Sequence, residues 1–377
     1  MSPTEHLNKE RTFWDPETQQ PHAGQDWKLC GDRFIEDFSV TTNGLGTPVK
    51  ALEAAADALR TCDHYPPADQ EPAKSSLAQF IWPDSHKEQH DRLILGNGAS
   101  ELIDLVIRQA PGETWKPGPW SVQYKEYERS ARTSGRRILG PEEEERASLV
   151  CLVNPCNPTG DYLSQEEVLA WIHRHAQPGA VVIVDESMQL WHSPDFRKDS
   201  LASHPDMAST LLEKEGIQLY VIHSWTKIWS CTGLRLGSVV TPSPKHTQAL
   251  RRIQVPWSVN APALAFLDAV VRDTEYMNRT WELTPVWRTK LIERLTHLSS
   301  RLSGPTWEMY GKPFLSWVWI DVKEESLADR MVLLAREAGV PIRSGRPGYG
   351  KLTFIRVAVR EPAKVDHLFR AWEVLVQ

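Results

Sequence analysis

Four short, mostly apolar runs, each closed by residues able to do chemistry, constrain this chain more than any other feature. They are Arg92–Leu95, Ser148–Val153, Ala180–Val184 and Leu219–Ile222. They close, in order, on Gly96-Asn97-Gly98-Ala99-Ser100, on Asn154-Pro155-Cys156-Asn157-Pro158, on Asp185, and on Ser224-Trp225-Thr226-Lys227. Apolar runs of this length without polar alternation read as strands buried on both faces, the pattern of a parallel sheet. Helical patterns lie between them. Leu102 and Val106, like Ile103 and Ile107, stand four residues apart, and Ser164-Gln165-Glu166-Glu167 is a capping box. The alternation from about 45 to 265 predicts a sheet wound with right-handed crossovers. Ligands of such sheets sit at the carboxyl ends of the strands, so the four closing segments form the predicted site.

A lysine at the mouth of a strand, among hydroxyls, suits a ligand that is both an aldehyde and a phosphate. The Lys227 amine can form an imine once a lowered pKa leaves part of it unprotonated. The hydroxyls of Ser224 and Thr226 and the fork of Arg235, in Gly233-Leu234-Arg235-Leu236-Gly237, can hold a phosphate dianion. Asp185 closes five apolar residues, where a carboxylate is costly without a partner. A protonated pyridine nitrogen is such a partner, and its protonation makes the ring an electron sink. Two prolines fix the loop around Asn157, so its amide can be aimed at one ligand atom. Small residues at Gly98, Ala99 and Ser100 let the N-terminus of a helix approach a phosphate. An aldehyde, a phosphate and a pyridine in one molecule point to pyridoxal phosphate.

The ordered set Gly98-Ala99-Ser100, Asn157-Pro158-Thr159-Gly160, Asp185-Glu186, Ser224-x-Thr226-Lys227 and Gly233-Leu234-Arg235-x-Gly237 resembles the class I/II aminotransferase family of fold-type-I pyridoxal-phosphate enzymes. Within it the chain most resembles the branch of histidinol-phosphate aminotransferase and threonine-phosphate decarboxylase. Supporting residues are Asn43-Gly44-Leu45-Gly46, His64-Tyr65-Pro66, Tyr124-Lys125-Glu126-Tyr127 and Phe354-Ile355-Arg356-Val357-Ala358-Val359-Arg360. The resemblance implies an α/β fold, with a large domain built on a central, mostly parallel sheet flanked by helices and a smaller α+β C-terminal domain. It implies Lys227 as the Schiff-base lysine and proton shuttle, Asp185 as the partner of the ring nitrogen, and Asn157 as a donor to the ring's phenolic oxygen and a substrate contact. Tyr124 would stack on the ring face as a catalytic residue. Gly98, Ala99, Ser100, Ser224, Thr226 and Arg235 would cradle the phosphate, and Tyr65 would reach it from the neighbouring subunit of a homodimer. Arg356 would clamp the substrate carboxylate, with Arg343 as a second anion contact and Asn43 as a further substrate contact.

The activity implied is transfer of an amino group between an L-amino acid and a 2-oxo acid. The alternative, decarboxylation of an amino-acid O-phosphate, uses every one of the same cofactor residues. One departure from the pattern is informative but does not decide between the two reactions. Three residues after Asp185 the aminotransferase pattern usually has a tyrosine, and this chain has Met188, which cannot donate a hydrogen bond. Threonine-phosphate decarboxylases resemble it in lacking that tyrosine. Trp225 and Trp229 flank Lys227, and Trp191 follows Asp185. With Met188, these three rings predict a narrower and more apolar pocket than a phosphate ester would want.

At 377 residues the chain can bury a large core. The expected division is an N-terminal arm with part of the small domain at 1–44, a large cofactor-binding domain at 45–270, and a small domain at 271–377. A long helical pattern from about 279 to 302 leads into the last of these. It is followed by a strand from Leu315 to Val322, a helix from Ser326 to near Gly339, a strand from Leu352 to Val359 and a final helix after Pro362. A net charge of −6 without a basic arm argues against nucleic acid as a partner. No run of 18 apolar residues predicts a membrane-spanning helix, and Glu5, Lys9, Glu10 and Arg11 break up any signal-peptide core. Five cysteines, an odd count without a C-x-x-C pair, predict no disulfide framework and a reducing, cytoplasmic setting. Cys156 and Cys231 read as packing residues, as does His223 at its strand end. The 13 histidines show no ligand spacing, so no metal is expected.

Overall fold

A computed structural model of the chain describes residues 20–376. The segment around Glu5, Lys9, Glu10 and Arg11, and the first half of the expected arm, lie outside the described residues. The structure divides into two units, one of Gly46–Asn157 and Asp161–Thr280, the other of Met1–Leu45, Pro158–Gly160 and Trp281–Gln377.

Among the described residues of the first unit, seven strands form one sheet: β1 (Leu93–Asn97), β2 (Thr114–Pro117), β3 (Arg137–Ile138), β4 (Ala147–Val153), β5 (Ala176–Asp185), β6 (Gln218–Ser224) and β7 (Leu236–Val240). Their order is β1-β7-β6-β5-β4-β2-β3. Strands β2 to β6 pair in parallel, whereas β7 pairs antiparallel with both β6 and β1. The reason is the short connection: only Trp225–Arg235 separate β6 from β7. A parallel return needs a crossover of a dozen residues or more, so the chain turns straight back.

Strands β4 and β6 are buried along almost their whole length, and β5 from Ala180 to Asp185, as their unbroken apolar runs predict. On one face Leu149, Cys151, Val153, Val181, Ile183, Tyr220 and Ile222 pack against Leu102, Ile103, Val106 and Ile107 of the helix Ala99–Gln109. Asp185 continues the alternation of Val181 and Ile183, so the last side chain on that face is a carboxylate. The predicted capping box is present at the helix Gln165–His175. Ser164 Oγ accepts from Glu167 N at 3.3 Å and Glu167 Oε2 accepts from Ser164 N at 2.7 Å.

In the second unit the strands β8 (Glu308–Tyr310), β9 (Trp317–Asp321), β10 (Arg343–Ser344) and β11 (Phe354–Ala358) form an antiparallel sheet in the order β10-β11-β9-β8. Val318 and Ile320 of β9 and Ile355 and Val357 of β11 share a core with Leu368 and Trp372 of the helix Pro362–Trp372. By alternation, Arg356 stands on the opposite face of β11 from that core. The helix Glu325–Glu337 fills the place expected from Ser326, and its chain turns at Gly339 with φ 77°. The long helix starts earlier than its pattern predicts, at Thr274, and runs to Arg301. Among the described residues no helix is long and apolar enough to cross a membrane.

Candidate active site

At the carboxyl ends of β4, β5 and β6 the first unit has a cavity. Of the residues predicted to hold a cofactor, Ala99, Ser100, Tyr124, Asn157, Asp185, Ser224, Thr226, Lys227 and Arg235 line it together. Val153, Ser187 and Met188 complete the wall.

Asp185 is 5 % exposed and both its oxygens are engaged. Oδ1 accepts from Ser187 N at 2.9 Å, and Oδ2 accepts from the Tyr127 hydroxyl at 2.8 Å. Ser187 in turn accepts, at Oγ, the backbone N–H of Ser224 at 2.7 Å, which ties the end of β5 to that of β6. The hydroxyls of Ser224 and Thr226 are 2.8 Å apart. Lys227, half-buried, lies on the short helix Trp225–Ile228 that follows. The far end of this turn is fixed from outside: Tyr276 donates its hydroxyl to Ile228 O at 3.2 Å and Thr47 donates to Ser230 O at 2.6 Å. Asn157 lies on a loop closed by Asn154, whose amide accepts from Leu163 N at 2.8 Å and donates to Leu163 O at 2.9 Å.

The cradle between β1 and β7 is made by two glycines. Gly98, at φ 75° and ψ 164°, precedes the helix Ala99–Gln109 and donates its N–H to Arg235 O at 3.0 Å. A Cβ at Gly98 would lie 2.3 Å from Arg235 Nη2, so the guanidinium lies directly against this position. Arg235 itself is left-handed, at φ 61° and ψ 68°. Gly237 pairs with Ser224 on one side and Gly96 on the other, and its absent side chain leaves room for Ala99 N.

The expectation of a tryptophan-narrowed pocket is corrected. Trp191, Trp225 and Trp229 are all at most 2 % exposed, and none lines the cavity. Trp225 and Trp229, one helical turn apart, stack at 5.1 Å, and Trp225 Nε1 donates to Ser238 Oγ at 2.9 Å. Residues i and i+4 share a face of a helix while i+2 points away, so rings that bracket Lys227 in sequence are turned from it in space. Met188 alone of that group lines the cavity. His223 is buried, stacked flat on Trp225 at 4.6 Å, with Nε2 3.6 Å from Glu186. Burial pushes the Cys231 thiol up to about 12, in line with a packing role.

Tyr65 is not part of the cavity; it is 77 % exposed and stacks on Trp257 at 4.3 Å. Arg343, Arg356 and Asn43 belong to the second unit. There Arg343 and Arg356 stand opposite each other in the β10–β11 pairing, both buried. Arg356 donates to Ser39 O at 2.6 Å and Arg343 to Pro347 O at 2.8 Å. Burial lowers the Arg356 guanidinium to about 10, and the like charge of Arg343 acts in the same direction. Asn43 accepts at Oδ1 from Leu45 N at 3.1 Å. Among the described residues no cluster of His, Cys, Asp and Glu could hold a metal.

Residues 36–371 match the family described as aminotransferase class I and II. The chain belongs to that family. It is 27 % identical, over 294 residues that cover 73 % of each chain, to histidinol-phosphate aminotransferase 2 of Ralstonia nicotianae. Its fold is that of the histidinol-phosphate aminotransferase of Sinorhizobium meliloti in complex with pyridoxal-5'-phosphate, with a TM-score of 0.76 at 19 % identity over 98 % of this chain and 99 % of that one. The L-threonine-O-3-phosphate decarboxylase of Porphyromonas gingivalis has it too, with a TM-score of 0.70 at 19 % identity over 91 % and 99 %. Family membership makes the chain a pyridoxal-phosphate-dependent aminotransferase. Its own residues fit that cofactor. One cavity offers an amine, an oriented carboxylate, an amide, the hydroxyls of Ser100, Ser224 and Thr226, and a guanidinium held over a glycine that any Cβ would foul.

Two of the contributors were not singled out from the sequence: Tyr127 and Ser187 touch Asp185 directly. Tyr127 lies three residues after Tyr124, in the same segment, but no local spacing ties it to Asp185.

Proposed function

We propose that the chain transfers an amino group between an L-amino acid and a 2-oxo acid, at the cavity that gathers Lys227, Asp185 and Asn157. The convergence of these three side chains with Ser224, Thr226 and Arg235 supports the reading most strongly. Pyridoxal phosphate bound there supplies an aldehyde for the substrate amine and a protonated pyridine that draws electron density from Cα. Asp185 offers the buried negative charge that keeps the ring nitrogen protonated, and Asn157 donates to the phenolic oxygen. Ser100, Ser224, Thr226, Arg235 and the first amides of the helix Ala99–Gln109 hold the phosphate. Tyr124 covers the ring face. Lys227 is the base that takes the proton from the substrate Cα. Arg356, with Arg343 opposite it in the sheet and Asn43 as a further contact, receives the substrate carboxylate. A carboxylate there would relieve the burial cost carried by two facing guanidinium groups. Tyr65, exposed on its own chain, serves the phosphate of a second copy, which makes the working form a homodimer. Five free cysteines suit a cytoplasmic setting.

A second reading, decarboxylation of an amino-acid O-phosphate, uses every one of the same cofactor residues. The products separate the two. Incubation with pyridoxal phosphate, single amino acids and a 2-oxo acid acceptor should yield a new 2-oxo acid only when the acceptor is present. Release of CO₂ and an amine without acceptor would instead establish the lyase. Lys227→Ala should abolish either reaction, and full activity in that variant would sink both.

A further inference from the structure

We infer that Tyr127 is a positioning residue for the cofactor: its hydroxyl holds the Asp185 carboxylate in the orientation that a pyridine nitrogen requires. The inference rests on reading Asp185 as the ring-nitrogen partner. Tyr127 is 1 % exposed and packed in the apolar cluster between the sheet and the helix Ala99–Gln109. A buried phenol needs a partner, and this one donates to Asp185 Oδ2 at 2.8 Å, across 58 residues of sequence. A carboxylate offers about four lone-pair sites. Ser187 N occupies one on Oδ1 and Tyr127 one on Oδ2, so rotation of the group would break both bonds. The remaining acceptor capacity belongs to a side chain that lines the cavity.

The donor is also a dependable one. Burial raises the Tyr127 hydroxyl well above its ordinary pKa, and the Asp185 charge raises it further, so it keeps its proton at any working pH. A donated hydrogen bond also offsets part of the cost of burying a carboxylate. Without it, only Ser187 N orients the carboxylate. The geometry of the segment couples two tasks. Tyr124 and Tyr127 meet edge to face at 6.4 Å, so one turn of chain delivers both the aromatic wall of the cavity and the clamp on its carboxylate.

Tyr127→Phe removes a single oxygen and keeps the ring, so the packing survives. Three properties are read: the dissociation constant for pyridoxal phosphate from tryptophan quenching, the absorption spectrum of the bound cofactor at fixed pH, and the melting temperature of the apo-protein. The expected result is cofactor binding weakened by about tenfold, as for loss of a hydrogen bond to a charged group, with an altered spectrum and little change in apo melting. In an Asp185→Ala background the same substitution should cost less than twofold, because its effect runs through the carboxylate. An equal loss in both backgrounds would show a packing effect and overturn the proposal. So would a Tyr127→Phe protein that binds and absorbs like the parent while Asp185→Ala binds weakly. If Asp185→Ala itself binds like the parent, the reading of Asp185 fails, and the role of Tyr127 with it.

Discussion

Gly98→Ala tests the phosphate cradle, and the structure lets its two costs be separated. The first is backbone strain. At φ 75° and ψ 164° Gly98 occupies a region that is essentially reserved for glycine, and a side chain there costs about 1–3 kcal/mol. The second is steric. The new Cβ would stand 2.3 Å from Arg235 Nη2 and 2.9 Å from its Cζ. Ordinary contact needs roughly 3.5 Å, so the guanidinium must retreat by about an ångström. Arginine is flexible and will yield before the backbone does, but in yielding it leaves the place from which it lines the cavity. A charged hydrogen bond is worth about 1.5–3 kcal/mol, which predicts cofactor binding weakened by roughly 10- to 150-fold. Strain appears in the melting temperature of the apo-protein, whereas the displaced guanidinium appears only in cofactor affinity. Arg235→Ala sets the upper bound, and Gly98→Ala added to it should weaken binding little further. An apo-protein destabilised as expected but binding pyridoxal phosphate as tightly as the parent would refute the assignment of Arg235 to the phosphate.

Two further outcomes follow from the packing. Trp225→Leu removes a fully buried ring stacked on His223 and Trp229, so it should cost about 3 kcal/mol in urea denaturation while leaving the ranking of amino-acid substrates unchanged. A changed ranking would put this ring in the substrate pocket. His246 is held below its ordinary pKa by burial, with Lys245 adding repulsion, so the folded chain prefers it neutral and the unfolded chain protonates it first. Stability is therefore lost as pH falls through the unfolded value of about 6.5 toward the lower folded one. His246→Gln should flatten the fall in urea midpoint between pH 7 and pH 5.5, and an unchanged slope would remove His246 as its cause.

What the sequence made legible were the strands whose both faces are buried. β4, β5 and β6 are read from continuous apolar runs because no solvent face breaks them, and their ends announce themselves by the first polar group. The capping box at Ser164 and Glu167 was equally legible, since both partners lie within one helical turn. β2 and β3 were not. Thr114-Trp115-Lys116-Pro117 and Arg137-Ile138 carry no strand pattern of their own and are ordered by their neighbours in the sheet. Tyr127 escaped for a similar reason. Its chemistry lies in a contact with Asp185 that no local spacing records, and only the fold brings a tyrosine from one helix to a carboxylate at the end of β5. The tryptophans show the opposite failing. Their helical spacing places Trp225 and Trp229 on one face with Lys227 on another, so direction around the helix, and not nearness in sequence, decides which of them meets the cavity.

The Gly-Leu-Arg-x-Gly segment shows why a spacing can be read before its reason is visible. Gly237 and Gly98 make room for each other's neighbours: a Cβ at Gly237 would meet Ala99 N at 2.4 Å, and one at Gly98 would meet the Arg235 side chain. The two constraints are reciprocal. The first lets β7 lie against the start of the helix Ala99–Gln109, and the second lets an arginine two residues before Gly237 reach across that start. Between them, Gly98 N–H donates to Arg235 O, which holds Arg235 in its left-handed conformation. The antiparallel turn of β7 follows from the same logic. A connection of only Trp225–Arg235 brings the arginine back to the strand end that carries Lys227, which a parallel strand reached by a crossover helix would not do. The one strand that breaks the parallel order of the sheet thus returns the guanidinium to the rim of the cavity.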